Sequence, residues 1–224
     1  MQDEFALEAS KSQVAPMRKD LVIFDVEGVL LPKRRYLLFE VARKLSSWKF
    51  LKIVFLGLLY EIGLISLQSA LKRIFRVLKG FTIEELLQHF RKMPLIPGVK
   101  AVFAALNKDG YKTALISSGV PEIFVKDLAE RIGADYAFGL EMQVADGHLT
   151  GEIKGNVIEA DGKGLVLKEL LRDKDLASYN CIIVADDRNN LPMFPFSKKK
   201  IGYNPDFLLS IKSDFVVAGD LTEI

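Results

Sequence analysis

Leu21-Val22-Ile23-Phe24 runs without a polar break into Asp25, with Glu27 two positions on and Gly28 directly after it. Unbroken apolar runs of this length belong to strands covered on both faces, as in a parallel sheet between helical layers. The acids then fall at the carboxyl end of the strand, where open α/β sheets place their chemistry. Gly28 lets the chain turn away sharply. Two acids at i and i+2 on a strand share one face, so one can attack or bind a metal while the other handles a proton. A carboxylate there costs too much to bury unpaired, and a cation is its expected partner. Taken alone, the stretch equally describes a strand that ends in a solvated acidic turn.

The same device recurs twice. Lys112-Thr113-Ala114-Leu115-Ile116 leads into Ser117-Ser118-Gly119, and Cys181-Ile182-Ile183-Val184-Ala185 leads into Asp186-Asp187. Helices are expected from about Val99 to Asn107, stopping at Asp109-Gly110, and from Pro121 to Ile132, stopping at Gly133. Tyr136 to Val144 and His148 to Ile153, joined through Asp146-Gly147, read as a β-hairpin. Gly162-Lys163-Gly164 precedes a helix that runs to about Leu171, and Lys200 to Gly202 and Phe215 to Val217 are short strands. Strands alternating with helices predict an α/β fold with a parallel, doubly wound sheet. Three polar strand ends at one sheet edge form a constellation that a single one does not. Carboxylates from two strands can hold Mg2+, while a hydroxyl and a lysine (Ser117, Lys163) can hold phosphate oxygens. This is the equipment of phosphoryl transfer.

Composition removes several other functions. A net charge of +2 gives no case for nucleic acid. A single cysteine excludes a disulfide within the chain, and two histidines make a zinc site of histidines and cysteines improbable. The polar start of mixed charge has no apolar core of a secretory peptide, so a cytoplasmic location is expected. Leu30 to Gly80 has a helical pattern. Within it, Ile53 to Leu71 carries one charge, Glu61, and approaches the length of a membrane span. Gly57, Gly63, Gln68 and Ser69 interrupt that run, and Lys49, Lys52, Lys72 and Arg73 flank both ends without sidedness. Buried helices are therefore expected, with Trp48 and the phenylalanines in their core and no membrane contact. Thr82 and Glu85 form a capping box at the start of a further helix.

These motifs, in this order, resemble the haloacid dehalogenase superfamily of aspartate-nucleophile phosphatases and, within it, the phosphoserine phosphatase branch. The resemblance covers about residue 20 to the end. Besides the three strand ends it rests on Leu78-Lys79-Gly80 through Pro97-Gly98-Val99, on Asp146-Gly147-His148-Leu149-Thr150-Gly151, on Lys163-Gly164 and on the tail Asp220-Leu221-Thr222-Glu223-Ile224. It implies a three-layer, Rossmann-like sandwich, with residues 1–30 and 96–224 as catalytic core and 31–95 as an inserted helical cap. It implies Asp25 as nucleophile, Glu27 as acid and then base, Ser117 on the phosphoryl group, and Lys163 neutralising both phosphoryl oxygens and nucleophile. Gly28, Ser118, Gly119 and Arg34 would line the substrate. Mg2+ would be held by Asp25, the backbone carbonyl of Glu27 and Asp186, with Asp187 and Asn190 in support. The implied activity is hydrolysis of a small phosphorylated metabolite by a monomer or homodimer.

The sequence departs from that pattern at several positions. Glu27 and Val29 stand where the family usually has aspartate and threonine. In Ala185-Asp186-Asp187-Arg188-Asn189-Asn190, Asn190 replaces the usual second acid. Lys33-Arg34-Arg35 lies where phosphoserine phosphatases carry a glutamate for the substrate's ammonium, and suits an anionic group better. A substrate other than phosphoserine is therefore expected. Two further readings remain: a catalytically weak pseudo-phosphatase that binds a phosphorylated ligand, and a membrane- or partner-binding protein using the apolar insertion.

Overall fold

A computed structural model describes residues 20–33, 47–176 and 180–224. Arg34 and Arg35 lie outside the described residues. A seven-stranded sheet runs in the order β4-β3-β2-β1-β5-β6-β7. Its strands are β1 (Asp20–Phe24), β2 (Lys112–Pro121), β3 (Tyr136–Ala145), β4 (His148–Lys154), β5 (Asn180–Ala185), β6 (Ser197–Tyr203) and β7 (Phe215–Val217). All neighbours are parallel except the β3–β4 hairpin. The Asp-Gly turn adopts the positive φ values it requires at Asp146 (49°) and Gly147 (76°).

β1 lies at the middle of the sheet, between β2 and β5. Leu21 through Phe24 are each at most 4 % exposed, and because successive side chains point to opposite faces, both faces of the strand are covered. Helix α4 (Val99–Lys108) covers one face through Phe103, whose ring centroid lies 4.8 Å from that of Phe24. Cys181 is buried and unpaired in β5.

Three helices come between β1 and β2 in the chain: α1 (Ser47–Glu61), α2 (Leu67–Val77) and α3 (Ile83–Arg91). Ser66 caps α2, and Thr82 and Glu85 form the expected reciprocal capping box on α3. The connection between α2 and α3 is fastened to the hairpin by Gly80 N–H donating to Leu149 C=O and Leu149 N–H to Phe81 C=O, at 2.9 and 2.8 Å. Phe90 of α3 stacks 5.5 Å from Phe124 of α5 (Glu122–Ile132).

The expectation for the aromatic residues fails at α1. Trp48 is 76 % and Phe55 56 % exposed, whereas Ile53 and Leu56 are the residues this helix buries. An apolar helix has more than one apolar side, and only one of them can face the core. No helix among the described residues is long and apolar enough to cross a membrane.

Candidate active site

Asp25 follows β1 directly, and its N–H donates to Val184 C=O at 3.0 Å, which extends the ladder to β5 by one residue. Its side chain is buried, and both of its oxygens have partners. Oδ1 accepts from Val26 N–H (2.7 Å) and lies 2.8 Å from Lys163 Nζ, and Oδ2 accepts from Asn190 Nδ2 (2.6 Å). Lys163 Nζ also donates to Asn190 Oδ1 at 2.8 Å. Carboxylate, ammonium and amide thus close a ring drawn from three distant segments.

Lys163 differs from its expected setting in one respect. It lies in the first turn of α6 (Gly162–Asp173), not in a loop ahead of it. A Cβ on Gly164 would press on Pro192 C=O, so glycine is what lets this turn sit against the 3-10 segment Arg188–Phe196. That contact brings Lys163 and Asn190 together.

β2 supplies the serine cluster through an irregularity. Its pairing with β3 passes from Ile116↔Phe138 to Pro121↔Leu140, so five steps on one strand face two on the other. The excess bows residues 117–120 outward at the sheet edge, which is why the apolar run ends at Ile116 while the strand continues. Ser117 Oγ accepts from Val120 N–H at 3.0 Å, which leaves its own O–H free to donate. Ser118 Oγ donates to Val157 C=O at 2.7 Å, so its hydroxyl is committed to the fold. Glu27 Oε2 occupies the space that a Cβ on Gly119 would fill, which places the second acid over the serine turn.

Asp25, Asp186 and Asp187 bring carboxylate oxygens within 4.8 Å of one another. Asp187 is held by Asn189 N–H (3.0 Å) and Asn190 Nδ2 (3.1 Å). Asp186 is not held in this way. It is 1 % exposed, and neither of its oxygens takes a directed hydrogen bond. Lys33 Nζ pairs with Oδ2 at 2.6 Å. A buried carboxylate whose Oδ1 has no donor and whose Oδ2 has only the half-exposed Lys33 beside it, next to two further carboxylates, fits a divalent cation with oxygen ligands. Lys33 therefore turns towards the acids, not towards an anionic substrate group.

Gly28 sits at φ 95°, and a Cβ there would overlap the Asp186 carboxylate. Gly28→Ala combines left-handed strain with that collision. It is expected to lower stability by about 2 kcal/mol or more, read as a shift of the denaturation midpoint.

Burial, with the charges of Asp25 and Asp187 behind it, pushes the Asp186 carboxyl up to about 8 despite Lys33. Between about pH 4, the ordinary carboxyl value, and that value, the folded chain holds a proton that the unfolded chain has lost. This group's contribution to stability therefore falls as pH rises through the window. In metal-free buffer, the thermal midpoint of Asp186→Asn should depend less steeply on pH between 5 and 8 than that of the wild type.

No motif in the sequence marks Tyr60 of α1. Its hydroxyl donates to Asn189 Oδ1 at 2.7 Å and its ring lies 5.6 Å from the Arg188 guanidinium carbon, which ties the inserted helices to the Asp187 loop. No sequence signal marks a pair 129 residues apart. Between α1, α2 and the strand ends lies a cavity of about 410 Å3, floored by Asp25, Glu27, Ser117 and Lys163.

A parallel sheet with an acid pair at its central strand tip, a serine turn on one neighbour, acids on the other and a buried lysine defines a haloacid dehalogenase-like hydrolase. The chain belongs to that family, whose model matches residues 22–195. Among its relatives are phosphoserine phosphatases. It is 30 % identical over 197 residues to a phosphoserine phosphatase of Archaeoglobus fulgidus, which covers 88 % of this chain but 56 % of that protein. It is 26 % identical over 208 residues to that of Methanocaldococcus jannaschii, covering 92 % of this chain and 96 % of that protein. A substrate-bound phosphoserine phosphatase structure superposes with a TM-score of 0.81 at 25 % identity, covering 93 % of this chain and 98 % of that one.

Proposed function

We propose that this chain hydrolyses phosphate monoesters through a phosphoaspartate on Asp25, with Mg2+ as cofactor. The observation that carries the reading is the Asp25 carboxylate at the tip of the central strand, oriented by Lys163, Asn190 and the Val26 N–H, with two further acids beside it. An Asp25 oxygen attacks phosphorus as the bond to the ester oxygen breaks, and Glu27 gives its proton to the departing alkoxide. Glu27 then takes a proton from water, and the hydroxide attacks phosphorus, releases phosphate and restores Asp25. Ser117 O–H donates to a phosphoryl oxygen, and Lys163 offsets the charge on nucleophile and phosphoryl group. Asp25, Asp186 and the Glu27 carbonyl would hold the metal, with Asp187 and Asn190 orienting the carboxylates. When bound, Mg2+ supplies charge neutralisation and a template for the phosphoryl oxygens. Residues 31–95 act as a cap that excludes bulk water from the phosphoaspartate.

Phosphate release from a panel of small esters, with and without Mg2+, tests the proposal. Metal-dependent release supports it. Ligand-induced thermal stabilisation with no release from any ester would instead indicate the binding-only reading that Val29 and Asn190 suggest.

A further inference from the structure

Resting on the phosphatase reading, we infer that the substrate's leaving group is an apolar alcohol. Above the floor of charged and polar groups, the cavity walls are apolar: Ile53 and Leu58 of α1 meet Leu67, Ala70, Leu71 and Ile74 of α2. Tyr60 adds a hydroxyl that is already bonded to Asn189. Glu61, the charged wall residue contributed by these helices, is exposed.

Among the described residues lining this cavity, Lys163 is the cation, and it is held by Asp25 and Asn190. An amino-acid leaving group would set its carboxylate against this apolar wall at a large desolvation cost, with Arg188 on the far side of the Tyr60 ring. An alkyl group would gain from the same wall. The stripe also extends beyond the cavity. Val54, Leu58 and Glu61 line it from one side of α1, and Leu51, one turn before Val54 on that side, is 57 % exposed. An alkyl chain too long for the cavity thus meets a further apolar residue along the same side of α1.

The test measures kcat/KM with Mg2+ for n-alkyl phosphates from ethyl to octyl, below their micelle concentrations, beside glycerol phosphate and phosphoserine. The expected result is a rise of roughly fourfold per methylene over the first members, with phosphoserine and glycerol phosphate below butyl phosphate. Leu58→Asn, at a position 55 % exposed and so tolerant of change, should flatten the slope. Phosphoserine or glycerol phosphate turned over as well as hexyl phosphate would overturn the inference while leaving the phosphatase intact. If p-nitrophenyl phosphate and every other ester stay intact, the phosphatase reading fails. The leaving-group inference then falls with it, and calorimetric titration with the same alkyl series tells the two failures apart: affinity independent of chain length also overturns the apolar character assigned to the cavity, whereas affinity rising with chain length overturns only the cleavage.

Discussion

Asp25→Asn is expected to abolish phosphate release, with turnover falling on the order of 10^4-fold or more, as for removal of other covalent nucleophiles. The replacement has nearly the same shape, so the loss reports chemistry and not collapse. One oxygen becomes an NH2 that must face either Lys163 Nζ or Asn190 Nδ2, both donors. Two donors then meet where a donor and an acceptor met before. The cluster loses one of its three carboxyl groups, and Mg2+ should stabilise the variant against heat less than it stabilises the wild type. Retention of even one per cent of wild-type turnover would remove Asp25 from the nucleophile's role.

Lys163→Met separates two contributions of one side chain. The thioether fills much of the lysine stem's volume, so packing is largely kept. Asp25, 5 % exposed, is left with neutral donors. Breaking a buried pair from one side costs about 3–5 kcal/mol, and loss of the fixed positive charge should lower kcat by roughly 10^2–10^3-fold. Denaturant titration reads the first effect and steady-state kinetics the second. The comparison is Lys168→Met, five residues on along α6 at an exposed position, which should change stability by no more than about 0.5 kcal/mol and leave kcat alone. Equal effects from both lysines would show that charge on this helix, not the Asp25 pair, carries the function.

Much of this arrangement was legible because burial and periodicity write themselves into short windows. Leu21–Phe24, Leu115-Ile116 and Cys181–Val184 are apolar without alternation, which marked strands of a covered parallel sheet, and the residues that end them lie together at one edge. Partnerships across the chain leave no such trace. Nothing around Lys33 says that it meets Asp186 and not a substrate, because that depends on the path taken after Gly28. Ser117 and Ser118 are indistinguishable in sequence, and only the bowed end of β2 gives one hydroxyl to Val157 and frees the other. Asn190 stands in place of an acid, yet its amide donates to Asp25 and accepts from Lys163, which a carboxylate cannot do. Trp48 lies outside the core: hydropathy reports how apolar a helix is, not which of its sides is covered.

The central position of β1 governs how the molecule is made. Its ladder partners are residues 112–115 and 180–184, and the Asp25–Asn190 bond spans 165 residues of chain. Among the described residues, both ladder partners of this apolar strand are distant in the chain. At ordinary synthesis rates it waits on the order of ten seconds for β5 to be translated. During that interval an unpaired apolar edge is open to aggregation or chaperone capture. Loop closures of this length also slow refolding of the finished chain. The ring of Asp25, Lys163 and Asn190 is therefore among the last features the chain acquires.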